Sequence, residues 1–469
     1  MKKTLSVFIA LIIACAGIFS VNISAFAKKT ENEPLYKVSS KVYADAYMLI
    51  NLDDDSFPVI AAKNMNKKKY PASLTKIATA MVVLNNVKDL KAKTTVSESA
   101  LLVLANTGAQ VAGLEVGEKI SIEKLLTLTM VHSACDACEV LAEYVAGTVS
   151  DFVKMMNDWA KSIGCEHTNF VNCDGLHSDD HYTTPADMAK MTLEAMKNED
   201  FMTFATTTEV KYKGLTLIHT NFMLHKPHLS YYYEYAEGIK TGSTDEAGYC
   251  VITKAAKDGY NYLAIVMDSP IRKIGGYDTK CSFIDAATLF DWAFDSLKYS
   301  KVIRMNDLVS ELPVKNGRDA DTIQLVAQDD VTTLVPVSLD PSAVMIKPVN
   351  APETLDAPIS QGEKICKADI IYGGKVIAKV NLVAAKSVEL STFLTITNAI
   401  KSFFGQKIIL VILLLMILCV VLYIVVFANR MRKDKKRIAE KKRRQRELEE
   451  QINREYYGDD YLPPPTRRK

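Results

Sequence analysis

Apolar and polar positions change period several times along the chain. Tyr43–Asn51 and Val59–Ala62 are apolar runs on either side of an acidic turn, Asp53-Asp54-Asp55, and read as two strands. From Pro71 to Leu84 apolar residues recur at Leu74, Ile77, Ala78, Met81 and Val82, a helical period with proline near the first turn. The helical pattern continues through Ile122–Val131, Cys135–Ala146, Asp151–Ile163 and Pro185–Lys197. From about Glu209 it gives way to strands. Gly238–Thr241 and Tyr249–Thr253, joined by a polar turn, predict a hairpin, and Tyr260–Met267 a further strand. Ser282–Ser296 returns to a helix, with Phe283, Ala286, Leu289, Phe290 and Ala293 on one face. This order predicts one mixed α+β domain, placed at residues 28–300.

The next segment, 301–390, has another character. Short apolar runs (323–327, 331–337, 343–346, 368–371 and 376–383) alternate with turns such as Asn316-Gly317 and Gly373-Gly374, predicting a small all-β domain. Residues 391–407 form a linker in which Leu394–Phe404 reads as an interfacial helix. Ile408–Ala428 is free of charge and of helix breakers, about 31 Å as a helix, and long enough to span a bilayer. The tail 429–469 carries Glu440/Arg444 and Glu450/Arg454 at helical spacing, then Pro463-Pro464-Pro465.

Charge sharpens this division. The tail holds 15 Lys and Arg against 8 Asp and Glu, whereas residues 28–428 hold 40 against 47. An acidic main body argues against nucleic acid as a partner. Basic residues directly after the span argue that the tail is cytoplasmic and the main body outside. At the front, Met1-Lys2-Lys3, an apolar run from Leu5 and Ser24-Ala25-Phe26-Ala27 predict a signal peptide over residues 1–27. Ile12-Ile13-Ala14-Cys15 is a rival, lipoprotein-like cleavage box. The localisation expected is a single-pass cell-membrane protein with its catalytic domain extracytoplasmic. The basic tail invites anionic lipid, with a cytoplasmic partner as a further possibility. Of nine cysteines, seven fall in the outer part (Cys135, Cys138, Cys165, Cys173, Cys250, Cys281 and Cys366), too irregular for a disulfide framework and better read as buried thiols.

Three short stretches carry candidate chemistry. Ser73-Leu-Thr-Lys76 places a hydroxyl and an amine three residues apart at a helix start, where the amine can activate the serine if its pKa is lowered. Ser133-Ala134-Cys135 follows 60 residues later between two apolar helices, and Lys240-Thr241-Gly242 another 107 residues on, along a predicted strand. This ordered triplet resembles the penicillin-recognising serine enzymes, with their Ser-x-x-Lys, Ser-x-Asn and Lys-Thr-Gly motifs. Tyr70-Pro-Ala-Ser-Leu-Thr-Lys76, Asn169-Phe-Val-Asn172 with Gly175-Leu176, and the run Gly238–Gly248 are similar to the D-alanyl-D-alanine carboxypeptidases among the low-molecular-mass penicillin-binding proteins. The resemblance covers roughly Ala44 to Ser296.

The resemblance implies a serine β-lactamase/penicillin-binding-protein-like catalytic domain, followed by a small all-β domain and one C-terminal transmembrane helix. It implies removal of the terminal D-alanine from peptidoglycan peptides through an acyl-enzyme, β-lactam antibiotics as inhibitors, and no metal or organic cofactor. Ser73 would be the nucleophile, Lys76 its base and Ser133 a proton relay. Lys240 and Thr241 would hold the substrate carboxylate, Gly242 would admit the substrate to the strand, and the N–H groups of Ser73 and Ser243 would form the oxyanion hole. Cys135 departs from the pattern, standing where the family usually has Asn. A thiol is a weaker hydrogen-bonding group, so a slower enzyme is expected, sensitive to oxidation if the nearby lysines favour thiolate.

Two alternatives remain beside this reading: a DD-transpeptidase using the same site, and a non-catalytic penicillin-binding cell-wall sensor. The pairs His177/His181 and His225/His228 have ligand-like spacing but lack a third ligand. Glu166 and Asn169 are one residue too close for the Glu-x-x-x-Asn of class A β-lactamases.

Overall fold

A computed structural model describes residues 33–458 except Leu229 and Gln406. The expected signal peptide, the rival Cys15 box and the proline run near the C-terminus lie outside the described residues. Contacts divide the chain into two units, one running to Val302 and including Val331–Met345 and Ile370–Lys379, the other taking the remainder.

The first unit is built on a five-stranded antiparallel sheet. Its strands are β1 (Ala46–Asn51), β2 (Val59–Lys63), β3 (Ala236–Thr244), β4 (Gly248–Lys257) and β5 (Tyr260–Ser269), in the spatial order β2-β1-β5-β4-β3. Its central strands read as continuous apolar runs because both faces are covered. Along β1, Ala46, Met48 and Ile50 enter one core, while Tyr47 and Leu49 enter the other; along β5, Leu263, Ile265 and Met267 alternate likewise with Tyr262, Ala264 and Val266.

The first core is shared with the helices α1 (Lys76–Asn86), α2 (Ile122–Val131), α3 (Cys135–Ala146), α4 (Val149–Ser162), α5 (Pro185–Met196) and α6 (Glu199–Thr206). The second is capped by α7 (Cys281–Ser296), through Phe283, Ala286, Leu289, Phe290 and Ala293. Ser121, Thr148, Thr184 and Asn198 cap α2, α4, α5 and α6 by accepting a backbone N–H with their side chains, the usual device for the unpaired donors of a helix start.

The structure departs from the periodicity in one place that matters. The stretch beginning at Pro71 is a 3₁₀ turn, Ala72–Thr75, and the α-helix starts only at Lys76. Every residue from Lys76 to Val83 is buried, so α1 is a central helix enclosed on all sides rather than an amphipathic one.

In the β-rich part, Leu297–Ile303 pairs with Val331–Pro336, and a six-stranded sheet runs in the order Met345–Val349, Lys364–Tyr372, Lys375–Ala384, Thr322–Ala327, Leu308–Lys315, Leu355–Asp356. A helix spans Thr392–Gly405, and a second is continuous from Lys407 to Tyr457, joining the apolar stretch and the charged tail in one element. That helix is long and apolar enough to cross a membrane.

Candidate active site

The 3₁₀ turn positions the nucleophile. Side chains three apart eclipse in such a turn, which stands Lys76 over Ser73, its Nζ 2.9 Å from Oγ. The amine is fully buried and has two further partners, the carbonyl of Asp174 at 2.6 Å and Cys135 Sγ at 3.4 Å. Thr75, at the end of the turn, donates to Ala72 O at 2.8 Å and also lies 2.8 Å from His181 Nε2. His181 Nδ1 accepts the Val171 N–H, so Nε2 carries the ring proton and donates to Thr75. Burial, with smaller pushes from His177 and Lys76, lowers the His181 pKa to about 4 and keeps the ring neutral.

Two glycines let neighbouring segments close on this turn. A Cβ on Gly242 of β3 would lie 2.8 Å from Pro71 O and 2.9 Å from the Ser73 nitrogen. Gly175, at φ +88°, would place one 2.0 Å from Ala72 O. Asn172 shapes the Gly175 turn by accepting the Gly175 N–H and donating to Leu176 O, both at 2.8 Å.

Ser133 sits in the short link between α2 and α3, at φ +61°. Its Oγ accepts from Lys240 Nζ at 2.9 Å, and the same amine donates to Thr241 O at 3.1 Å. Thr241 Oγ1 donates to Thr220 Oγ1 at 2.6 Å. The Asp136 carboxylate, near the start of α3, accepts the N–H groups of Ala112, Gly113 and Leu114 at 2.9–3.0 Å, and Cys135 N–H donates to Gln110 O at 2.8 Å. These bonds hold the preceding loop so that Thr107–Gln110 forms a wall of the cleft.

The cleft measures about 1000 Å³ and is lined by Ser73, Ser133, Cys135, Thr241, Gly242 and Ser243 from the motifs. Lys76 and Lys240 lie directly beneath its lining serines. All eight residues singled out in the sequence are therefore brought together. Residues outside the motifs complete the lining, among them His132, Asp174, Thr220 and Lys280. Lys280 Nζ stands 5.0 Å from the ring centre of Phe222 and 5.4 Å from that of Tyr249, and burial lowers its pKa. The sequence signal for Asp174 is its place between Asn172 and Gly175; for Thr220 and Lys280 there is none.

Burial dominates the electrostatics. It pushes Lys240 well below the ordinary lysine range, and the neighbouring Lys76 adds to that push. Burial favours the neutral amine at Lys76 too, but the negative charge available at Cys135, Cys138 and Asp174 outweighs it and holds the proton on this amine. The two thiols help only as thiolates, and burial keeps them protonated, Cys135 with its pKa pushed up to about 11. Near neutral pH the restraint on the Lys76 proton thus falls to the Asp174 carboxylate. The same fact corrects the expected oxidation sensitivity: Cys135 is a buried neutral thiol despite its lysine neighbour.

The remaining candidates have other partners. His177 lies edge-on to Tyr70, with ring centres 4.8 Å apart, and within 4 Å of carboxylate oxygens of Asp179 and Glu246. His225 bonds to the His219 carbonyl at 3.0 Å, and His228 stacks on Phe222. Asn169 Nδ2 donates to Asp180 O. Among the described residues all eight cysteines are unpaired; six are buried, Cys366 is half-buried and Cys419 exposed.

Comparison with known proteins agrees with this geometry. The model of the D-alanyl-D-alanine carboxypeptidase family matches residues 28–270, and that of the penicillin-binding protein 5 C-terminal domain matches residues 298–390. The D-alanyl-D-alanine carboxypeptidase DacF of Bacillus subtilis is 28% identical over 377 residues, which cover 79% of this chain and 92% of the relative. The D-alanyl-D-alanine carboxypeptidase of Streptomyces sp. K15 is 33% identical over 225 residues, 44% of this chain and 75% of that protein. Penicillin-binding protein 5 from Haemophilus influenzae superposes with a TM-score of 0.56 at 26% identity, covering 75% of this chain and 98% of that one. With the family model matching more than half of the chain, this protein belongs to the D-alanyl-D-alanine carboxypeptidases, a family of serine hydrolases, and carries an all-β domain after its catalytic domain.

Proposed function

We propose that Ser73 attacks the carbonyl between the two terminal D-alanines of a peptidoglycan peptide, with Lys76 as base. The observation that carries this reading is the 2.9 Å contact between Lys76 Nζ and Ser73 Oγ in a cleft shared with the Lys240–Ser133 pair. The Ser73 proton passes to neutral Lys76 as Oγ bonds to the carbonyl carbon. The backbone N–H groups of Ser73 and Ser243 hold the oxyanion, worth roughly 3–4 kcal/mol per donor in such sites. The C–N bond then breaks as the proton held by Lys76 passes through the Ser133 hydroxyl to the leaving D-alanine amine, which returns Lys76 to its neutral form. Water hydrolyses the ester, its proton going to Lys76 and then to Ser73.

Lys240 and Thr241 hold the carboxylate of the leaving D-alanine. That carboxylate supplies the counter-charge that makes Lys240 favourable as an ammonium, and a second ammonium beside Lys76 favours loss of the Lys76 proton. Cys135 takes the place of an amide near the scissile bond. The long apolar helix anchors the mature chain, from Lys28, in the membrane, with the catalytic domain outside and residues 429–469 inside.

The test is release of D-alanine from a muropeptide ending in D-Ala-D-Ala, with Ser73→Ala beside the wild type. Repeated turnover that disappears in the variant is expected. A single stoichiometric release that then stops would favour an amine acceptor, as in a transpeptidase, and no release would favour a binding role.

A further inference from the structure

One buried carboxyl takes no part in these steps. Glu139 lies on α3 one turn beyond Cys135, is 3% exposed, and stands in the apolar layer between Cys138 and Val140. Its Oε1 accepts the Cys173 thiol at 3.0 Å, while Oε2 is buried without a hydrogen-bond partner. Cys173 O accepts from Thr79, one turn along α1 from Lys76, and the next carbonyl, that of Asp174, accepts from Lys76 itself. Glu139 therefore grips, through Cys173, the two-residue segment that fixes the catalytic amine. A half-satisfied carboxyl costs stability in such a layer, where an apolar side chain of similar size would not.

We infer that Glu139 is a positioning residue that sets the charge of Lys76: its ionised form holds the lysine proton and its protonated form releases it. This rests on reading Lys76 as the base for Ser73. The groups around Glu139 are Cys135, Cys138 and Glu143 on its own helix, Cys173 and Asp174 on the loop, and Lys76 on α1. Burial raises its pKa, the Cys173 thiol opposes this, Asp174 and Glu143 add to it and Lys76 opposes it, leaving it at about 7. Protonated Glu139 with neutral Lys76, and ionised Glu139 with the ammonium, carry the same net charge. Only the first is ready for attack, so one proton moved between the two side chains switches the nucleophile on.

The experiment is the pH dependence of acylation by benzylpenicillin, measured on the full chain in detergent for wild type, Glu139→Gln and Cys173→Ala. An acid limb is expected in wild type, where Lys76 loses its proton. Glu139→Gln removes the negative charge and moves that limb down by about one pH unit, about tenfold faster acylation on its slope. Cys173→Ala removes a donor that favours the carboxylate and moves the limb the same way by less. A folded Glu139→Gln whose limb stays in place or moves up overturns the inference. If that variant does not fold, an unmoved limb in Cys173→Ala overturns it. A wild type without an acid limb, or Lys76→Ala acylating at the wild-type rate, overturns the assignment of Lys76 and the inference with it. A normal wild-type limb left unmoved by the variants faults Glu139 alone.

Discussion

The two faces of the five-stranded sheet are covered by layers of opposite character. Under α7 the layer is aromatic and aliphatic. Its buried carboxylate, Asp285, accepts from Tyr43 N–H at 2.6 Å, Ala44 N–H at 2.9 Å and Ser269 Oγ at 2.7 Å, with both oxygens engaged. Under α1–α6 the layer encloses Lys76 and Lys240, and Glu139 and Asp174 each keep a buried oxygen without a partner. One layer satisfies its carboxylate fully and leaves without a partner only a neutral hydroxyl, that of Tyr262; the other leaves buried carboxyl oxygens unpaired beside two lysines, where protons can move. Sites that need labile protons are expected to look underpaired in the resting state.

That contrast can be broken from either side. Phe290→Ala, in the α7 layer, is expected to cost about 3–5 kcal/mol of stability while the folded fraction keeps its kcat/KM; calorimetry with active-site titration checks both. Glu139→Gln should do the reverse. A carboxyl whose pKa is raised on folding favours the folded state while protonated, so wild-type stability falls as pH rises from the unfolded value near 4.5 to about 7. The variant lacks this fall, gaining on wild type by about 3 kcal/mol between pH 4 and pH 8 in denaturant titrations. An equal pH dependence in both proteins would mean that Glu139 is not the group concerned.

Gly175→Ala tests the closure on Ser73. With backbone atoms 2.0 Å from the new Cβ, the turn must shift, and a misplacement of order 1 Å is expected to lower D-alanine release about a hundredfold. Cys135→Asn is the mildest change. Replacing a neutral thiol by an amide adds hydrogen-bonding capacity worth on the order of 1 kcal/mol, so turnover should rise up to about fivefold. Unchanged turnover would show that the thiol is no handicap.

Much of the site was legible because its chemistry is written in local spacing. Ser73 and Lys76 meet through one turn, and Lys240-Thr241-Gly242 presents its groups along one strand, so the motifs themselves predict the contacts. The sheet was legible for a similar reason, since each strand alternates between two cores. What escaped depends on contacts distant in sequence. The acceptor at Asp174 is a backbone carbonyl, which no side-chain pattern reveals, and Asp136 acts by capturing three amides more than twenty residues away. The full enclosure of α1 was hidden because small and β-branched residues on its supposed outer face are mild enough to read as surface. Glu139 left the clearest overlooked mark, a lone carboxylate in the apolar run Cys138–Ala142.

The continuous helix Lys407–Tyr457 fixes a length as well as offering an apolar stretch. At 1.5 Å per residue its 51 residues rise about 77 Å, of which the apolar stretch takes about 31 Å. With that stretch in a bilayer, the turns from Asn429 to Tyr457 reach about 43 Å beyond it. Lipid charge is felt over only about 8 Å at physiological salt. The basic turns nearest the span fall within that range, while Glu447, Glu449, Glu450 and Glu455 stand several screening lengths away. So placed, the helix would be a ruler with its sign reversed along its length, its basic base at the lipid surface and its acidic end held clear.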